Sequence, residues 1–388
     1  MSFATRTESL SEEGAYSVLA RCQMLEAQGK DIIHLEIGQP DFDTFSHVSL
    51  AGIRAITTGQ TRYTPPLGIP ALREALAQDA GRRRGVELSA DWVVVAPGTK
   101  PILQLPLLAL IEPGDEVLYP DPGFPTYAGS IGLAGGVPIP VKLLEERDFD
   151  LDMEGLEAAI TPRTRMIILN SPGNPTGGIL PPATLARIAE LACQHDLWVL
   201  SDEIYSRLVF DGESRSILSM PGMMERTIVA DGYSKTYAMT GWRLGYGLMP
   251  PALVAKMNLL LTYVTGCTAA FTQYAGLEAV TAPQDDVDAM VDTFRRRRDF
   301  MVERLQAIPG IQCAKPQGAF YVFPSIRAFG LSSNEMANRL LDEVGVAVLP
   351  GTAFGQNGEG FIRLAYANSL ENIGQALDRM AGFLATLR

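Results

Sequence analysis

The sequence predicts an α/β fold: a large domain with a mostly parallel, seven-stranded sheet covered by helices, plus a smaller α+β domain from both chain ends. From about residue 91, short runs rich in β-branched and apolar residues alternate with longer helical patterns. Near-continuous apolar strands separated by helices are typical of a parallel sheet that is buried on both faces. In addition, a chain of 388 residues is longer than one hydrophobic core usually serves.

The strands of the large domain are expected where the apolar runs lie. These runs are 92–96, 116–119, 137–143, 166–170, 197–201, 227–231 and 243–248. The large domain is expected to span residues 46–282, and the small domain residues 1–45 and 283–388. Within the small domain, the patterns predict strands over 318–323 and 361–366 and helices over 285–305, 334–344 and 369–387.

Composition and charge argue against several classes of function. A net charge of −12 disfavours nucleic acid or an anionic membrane as the main partner. The first residues are polar and acidic, and no apolar run approaches the length of a membrane span, so we expect a soluble, cytoplasmic protein without a targeting segment. The four cysteines are widely scattered and form no C-x-x-C pair, which predicts reduced thiols, no metal site and no disulfide framework.

Unusual residues directly follow five of the predicted strands. In open α/β sheets, ligands bind outside the carboxyl ends of the strands. The segments concerned are 97–100, 121–124, 171–177, 202–205 and 234–235. We therefore expect one functional site along this edge of the sheet.

The stretch 231–246, DGYSKTYAMTGWRLGY, carries the strongest chemical signal. A lone Ser-Lys pair is usually a solvated surface lysine, but this stretch is rich in Gly, Tyr and Trp and poor in charge, which favours a buried backbone. A buried lysine such as Lys235 can form a Schiff base with a carbonyl, while Ser234 and Arg243 can hold a phosphate dianion nearby. Pyridoxal phosphate has both groups.

Three further residues are candidates, each with a local alternative. Asp202 could be a helix N-cap or the buried carboxylate that keeps a pyridine nitrogen protonated. Asn174 lies between Pro and Gly residues, where a turn is the stronger local interpretation. Arg363 lies in an apolar strand, and an arginine there is costly to bury unless paired, which favours a bidentate contact with a substrate carboxylate.

The sequence resembles the class I/II aminotransferases, the fold-type-I pyridoxal phosphate enzymes, and most closely their prokaryotic aspartate-aminotransferase-like subgroup. All fixed positions of the family's lysine motif, S-K-x(5)-G-W-R-x-G-Y, are present, and the resemblance runs from about residue 15 to residue 387. It implies catalytic roles for Lys235, Asp202 and Tyr205. It implies cofactor binding by Lys235, Gly98, Thr99, Lys100, Phe124, Asn174, Asp202, Tyr205, Ser234, Arg243 and Tyr63.

The resemblance also implies what these residues do. The glycine turn at Gly98 and Thr99 would add backbone N–H groups to the phosphate cup, a role that such turns alone indicate only weakly. Phe124 matches an aromatic residue that stacks on the cofactor ring, although many relatives have tryptophan or tyrosine there. Tyr63 matches a tyrosine that reaches the phosphate of a partner subunit, so a homodimer with shared active sites is expected. The substrate carboxylate would be bound by Gly38, Asn174 and Arg363.

The implied reaction is the transfer of an amino group from an L-amino acid to a 2-oxo acid, with ping-pong kinetics. Another reaction of the same fold, such as a β-elimination, uses nearly the same residues and remains the alternative. A DNA-binding regulator would need an added basic helix-turn-helix, and a serine hydrolase would need a G-x-S-x-G motif that the sequence lacks. No motif identifies the amino donor, although Lys100 and Arg62 could pair with a distal carboxylate.

Overall fold

The computed structural model describes Thr7, Leu10 and residues 14–387. The helices there are α1 (Gly14–Ala27), α2 (Ser46–Thr57), α3 (Pro70–Arg84), α4 (Lys100–Leu110), α5 (Thr126–Leu133), α6 (Met153–Ala159), α7 (Pro182–Gln194), α8 (Tyr233–Thr236), α9 (Pro251–Val264), α10 (Ala270–Thr281), α11 (Asp285–Gln306), α12 (Ser333–Val344) and α13 (Leu370–Ala385). The strands are β1 (Ile33–His34), β2 (Val93–Ala96), β3 (Glu116–Asp121), β4 (Val137–Leu144), β5 (Asp150–Leu151), β6 (Thr164–Asn170), β7 (Trp198–Asp202), β8 (Thr227–Gly232), β9 (Gly245–Leu248), β10 (Tyr321–Val322), β11 (Val346–Ala347), β12 (Leu349–Pro350) and β13 (Ile362–Ala365).

The large sheet has the strand order β2-β9-β8-β7-β6-β3-β4-β5. The pairs from β4 through β3, β6 and β7 to β8 are parallel, whereas β9 is antiparallel to both of its neighbours and β5 is antiparallel to β4. The predicted mostly parallel sheet is confirmed, with two differences. A two-residue edge strand, β5, was too short to give an apolar run, and β9 begins at Gly245 because Arg243 takes a left-handed backbone conformation with φ 54°.

Alternating burial explains why helices cover both faces of this sheet. In β2, Val93 and Val95 pack into one hydrophobic cluster with residues of α3 and α11. Val94 and Ala96 point the other way, into a cluster with residues of α4 and α9. Successive strand residues face opposite sides, and each fully buried valine stabilises the fold by roughly 1.5–3 kcal/mol relative to exposure. The strand is therefore anchored on both sides.

Two smaller sheets use strands from both ends of the chain. Strand β1 pairs with β11 in parallel, and β10, β13 and β12 form an antiparallel sheet in that order. The strands predicted over 318–323 and 361–366 are found as the shorter β10 and β13, and the three helices predicted after residue 283 are α11, α12 and α13. Residues 1–6, 8, 9, 11–13 and 388 of the proposed small domain lie outside the described residues. None of the described helices is both long and apolar enough to cross a membrane.

The fold brings the small sheets to the carboxyl edge of the large one. The Ala365 N–H donates to the Leu35 carbonyl at 2.7 Å, so the segment after β1 lies beside β13. On the large sheet, Asn170 at the end of β6 is paired in register with Asp202 at the end of β7. The side-chain amide of Asn170 also donates to the Asp202 carbonyl at 3.0 Å, which holds the ends of β6 and β7 together.

Candidate active site

Lys235 lies in α8, directly after β8 ends at the carboxyl edge of the sheet. Its Nζ is partly buried and donates to the Gly38 carbonyl at 2.5 Å. Burial is the main reason that the pKa of Lys235 falls from 10.5 to about 8. The positive charges of Arg363 and Arg243 lower this pKa further, and Asp202 partly opposes them. The amine therefore loses its proton far more readily than a surface lysine.

Asp202 is the last residue of β7 and is buried. One carboxylate oxygen accepts the Tyr127 hydroxyl at 2.8 Å, and the other accepts the Ile204 N–H at 3.2 Å. Burial raises the pKa of Asp202 to about 6, and both hydrogen bonds lower it. The helix N-cap alternative does not apply, because the residues after Asp202 form turns. Asp202 is thus a buried carboxylate with spare hydrogen-bonding capacity.

Tyr205 contacts Tyr321, a residue that the sequence analysis did not single out. Its hydroxyl is hydrogen-bonded to the Tyr321 hydroxyl at 2.8 Å, and both rings are buried. A Cβ on Gly38 would lie 2.3 Å from the Tyr321 hydroxyl, so only glycine fits there. A hydroxyl in the otherwise apolar run 319–323 was the available signal for Tyr321.

Arg363 is buried in β13 and makes several contacts at once. Its Nη1 donates to Asn174 Oδ1 at 3.1 Å, and its Nη2 donates to the Glu36 carbonyl. The guanidinium lies 4.4 Å from the centre of the Tyr321 ring and 4.9 Å from that of Phe354. Its buried Nε has no hydrogen-bond partner within the described chain. A desolvated guanidinium that is fixed by these contacts and has an unused N–H donor can bind a carboxylate.

Gly98 lies close to Arg243 and Gly245 where β9 passes the turn after β2. A Cβ on Gly98 would lie 2.4 Å from Arg243 Nη2, so glycine at φ 90° makes room for the guanidinium. Gly98 contributes this space and not the expected free N–H, because its N–H donates to the Ala96 carbonyl at 2.8 Å. Ser234 is a buried residue, and its hydroxyl makes no hydrogen bond to any residue that the structure describes. Thr99 donates its hydroxyl to the Asp231 carbonyl at 3.2 Å.

The remaining predicted residues are Phe124, Lys100, Tyr63 and Asn174. Phe124 is half-buried and packs edge-on against Tyr127, with ring centres 5.8 Å apart. The exposed Lys100 places its Nζ 5.7 Å from the centre of the Phe124 ring. Tyr63 is 97% exposed, so its side chain does not join the site of its own subunit. Asn174, at 9% exposure, lies in a turn; its N–H donates to Asn170 Oδ1 at 2.8 Å, and its own Oδ1 accepts from Arg363.

Both sequence and structure match known proteins over nearly the whole chain. Residues 30–380 match the family Aminotransferase class I and II. This chain belongs to that family. It is 42% identical to aromatic-amino-acid aminotransferase 2 of Thermococcus litoralis over 359 residues, which cover 91% of this chain and 92% of that one. It is 41% identical to the aspartate aminotransferase of Pyrococcus abyssi over 355 residues, covering 90% and 91%.

A solved structure agrees with this membership. The aspartate aminotransferase from Thermus thermophilus with maleate has a TM-score of 0.95 at 39% identity, covering 98% of this chain and 99% of that one. The resemblance and the fold-type-I architecture predicted from the sequence are therefore confirmed, and the chain is an aminotransferase. The relatives do not favour the β-elimination alternative.

Proposed function

We propose that this aminotransferase uses pyridoxal phosphate, held by the residues described above, to move amino groups from L-amino acids to 2-oxo acids. The observation that carries the proposal is the Lys235 amine, whose pKa is lowered to about 8 between a buried carboxylate and two arginines. Pyridoxal phosphate, when bound, supplies a carbonyl for a lysine and a protonated ring that withdraws electrons. Each of its polar groups needs a matching residue.

The residues present fit this cofactor. Ser234 offers a hydroxyl that bonds to no described residue, and Arg243 offers a guanidinium beside the Gly98 turn, as a phosphate dianion requires. Asp202 has room to accept an N–H from the ring nitrogen. Tyr205 and Asn174 are polar groups for the ring oxygen, and Phe124 is an aromatic surface for the ring. Thr99 and Lys100, at the start of α4, complete the proposed set.

Arg363 is proposed to bind the substrate α-carboxylate. Its contacts with Asn174 and with the Glu36 carbonyl fix the plane of the guanidinium before substrate arrives. Its charge is desolvated, and this preorganised cation strengthens an ionic contact without an ordering cost. The segment from Glu36 to Gly38 contacts both this arginine and Lys235, because the Glu36 carbonyl accepts from Arg363 and the Gly38 carbonyl accepts from Lys235 Nζ. The substrate Cα would then face the lysine.

Lys235 is proposed to move the proton between the substrate Cα and the cofactor. A base works best when its pKa lies near the working pH, and burial brings the pKa of this amine to about 8. The same residue therefore anchors the cofactor and acts as the acid and base.

Arg363→Lys should raise KM for amino donors by roughly 100-fold, about 2.7 kcal/mol. An ammonium cannot contact Asn174 and the Glu36 carbonyl and still bind a carboxylate through two parallel bonds. Steady-state kinetics with several donors measures the effect. Arg304→Lys on α11, where the surface arginine pairs with Asp378, is the matched control. Equal KM values in the two variants would remove Arg363 from the substrate site.

Tyr127→Phe should move the acid limb of the pH–activity profile upward by about one unit. The lost hydroxyl stabilises the ionised form of Asp202, so the pKa of Asp202 rises further above its value of about 6. Activity that requires the carboxylate is then lost at a higher pH. One unit corresponds to about 1.4 kcal/mol, close to one hydrogen bond to a charged group. An acid limb equal to that of Tyr119→Phe would contradict this role.

The proposed assembly is a homodimer with shared active sites. Tyr63 is almost fully exposed, and α2 exposes Leu50, Ile53 and Ile56 at helical spacing, which forms an unusual apolar surface for a monomer. A second chain would cover this surface and bring Tyr63 to the partner's phosphate site. Sedimentation equilibrium should give twice the chain mass of 42.0 kDa. A monomer at micromolar concentration would contradict the shared site.

We also propose the division into a large domain over 46–282 and a small domain over 1–45 and 283–388, and a cytoplasmic location. The small sheets draw all their strands from the two outer segments, which supports the division. The four cysteines are free, which suits a reducing compartment. Hydrogen exchange should separate two cooperative units, and cell fractionation should recover the enzyme with cytoplasmic markers. A single exchange unit, or recovery elsewhere, would contradict these assignments.

Trapping the cofactor on the chain tests the proposed function directly. Borohydride reduction of the protein loaded with pyridoxal phosphate should fix the cofactor on the peptide that contains Lys235, at one equivalent per chain. A cofactor recovered mainly on another lysine would overturn the assignment.

A further inference from the structure

Three metal-ligating side chains meet beneath helix α1, away from the proposed cofactor. They are Cys22 of α1, His34 of β1 and Glu36, and each offers a ligand atom within 4.8 Å of the other two. Cys22 and Glu36 are fully buried, and His34 is half-buried. No sequence motif joins them, because the cysteine and the histidine are 12 positions apart. Only the pairing of β1 with β11 under α1 brings them together.

Glu36 is the residue that most needs a partner. One carboxylate oxygen lies 2.8 Å from His34 Nδ1, but the other, Oε2, is buried and has no hydrogen-bond partner within the described chain. Leaving a buried polar atom unsatisfied costs roughly 1–3 kcal/mol, and more for a charged group. A ligand within reach of both carboxylate oxygens would remove this cost.

His34 already has the second contact that a metal-bound histidine needs. Its Nε2 lies 3.1 Å from Oε1 of Glu26, an exposed residue of α1. Histidines that bind metals usually donate the other ring N–H to a carboxylate, which fixes the tautomer and the ring plane. With Nε2–H donated to Glu26, loss of the Nδ1 proton would leave a lone pair that faces Glu36 and Cys22.

We propose that Cys22, His34 and Glu36 form a binding site for a borderline divalent cation, Zn²⁺ in the first instance. The ligand atoms are a thiolate sulfur, an imidazole nitrogen and a carboxylate oxygen, which zinc accepts together, whereas Mg²⁺ and Ca²⁺ prefer oxygen ligands alone. Binding releases the Cys22 thiol proton and the His34 Nδ1 proton to solvent, and it leaves a fourth position for water on the half-exposed side of His34. The sequence expectation of no metal site is revised accordingly.

The site is separate from the proposed chemistry, although Glu36 contacts both. The Glu36 carbonyl accepts from Arg363, while the Glu36 carboxylate faces His34. The cation would therefore hold α1 to the segment that supports the substrate-binding arginine. Metal binding and cofactor binding use different side chains, so each can be measured without the other.

Cobalt and zinc binding to the full-length chain test the proposal. After treatment with a chelator, dialysis against micromolar Zn²⁺ should leave one equivalent per chain. Co²⁺ should bind in the same place and give a sulfur-to-cobalt charge-transfer band in the near ultraviolet, a readout that needs no variant. A cobalt spectrum without the sulfur band, or no stoichiometric metal at micromolar concentration, would overturn the site.

Two variants and two controls locate the ion. Cys22→Ala and Glu36→Gln should weaken Zn²⁺ binding by more than about 100-fold, beyond the 10–100-fold that loss of an outer-shell partner costs. Cys193→Ala removes an exposed thiol and should bind zinc like the parent. His47→Gln removes a histidine beside Glu278 and Asp286, the competing surface cluster, and should also bind normally. Circular dichroism checks folding, and zinc binding that survives Cys22→Ala but is lost in His47→Gln would refute the proposal.

Discussion

Replacing Lys235 with alanine should give a folded chain whose amino-transfer rate falls by at least about 10⁴-fold. General acid–base catalysis alone contributes roughly 10²–10⁴-fold, and the same change removes the covalent attachment of the cofactor. Folding should survive, because the side chain makes one hydrogen bond, to Gly38, and alanine is a good helix former. Turnover and the amount of borohydride-reducible adduct are the two measurements.

Lys256→Ala provides the control, because Lys256 is an exposed lysine on α9. That variant should keep both turnover and adduct. A reducible adduct that persists in Lys235→Ala, or turnover within about tenfold of the parent, would show that another lysine carries the cofactor.

Asp202→Asn should retain the bound cofactor and reduce turnover by roughly 10²–10³-fold. An amide is isosteric and can still accept from Tyr127, but it carries no charge to stabilise a protonated ring nitrogen. Removing one preorganised electrostatic contact typically costs about 2.7–4 kcal/mol in the transition state. The ratio of kcat values, with cofactor content measured in parallel, tests the effect.

The matched control for Asp202→Asn is Asp150→Asn. Asp150 is another partly desolvated carboxylate, held by Thr184 at 2.8 Å on the far edge of the large sheet. It should leave kcat unchanged. If Asp202→Asn also stays within about threefold of the parent, or about 0.7 kcal/mol, the residue is not the ring-nitrogen partner.

Much of the site could be predicted because parallel strands end at one edge. The apolar runs fix where the strands end, and the residues after β6, β7 and β8 then converge without any knowledge of side-chain contacts. Arg363 was also accessible, because an arginine in an apolar strand needs a reason to be buried. The lysine motif indicated Schiff-base formation at Lys235 and phosphate binding beside it.

Contacts between distant segments could not be predicted in the same way. The Tyr127–Asp202 hydrogen bond joins residues 75 positions apart and depends on the angle at which α5 leaves β3. The Gly98 N–H donates to the Ala96 carbonyl, a local hydrogen bond that no residue pattern predicts. The cluster of Cys22, His34 and Glu36 requires both chain ends to be packed together. Each depends on tertiary geometry that a single sequence does not state.

A single half-reaction tests the central claim most directly. The enzyme loaded with pyridoxal phosphate is mixed with excess amino donor, without any 2-oxo acid, and the products are quantified. If Lys235 returns the Cα proton to the cofactor, the reaction stops after one equivalent of 2-oxo acid per site. The cofactor is then recovered in its amine form, and added 2-oxoglutarate or another 2-oxo acid restores it. Continued release of ammonia and 2-oxo acid with every donor, without accumulation of the amine form, would contradict amino transfer and indicate a β-elimination lyase.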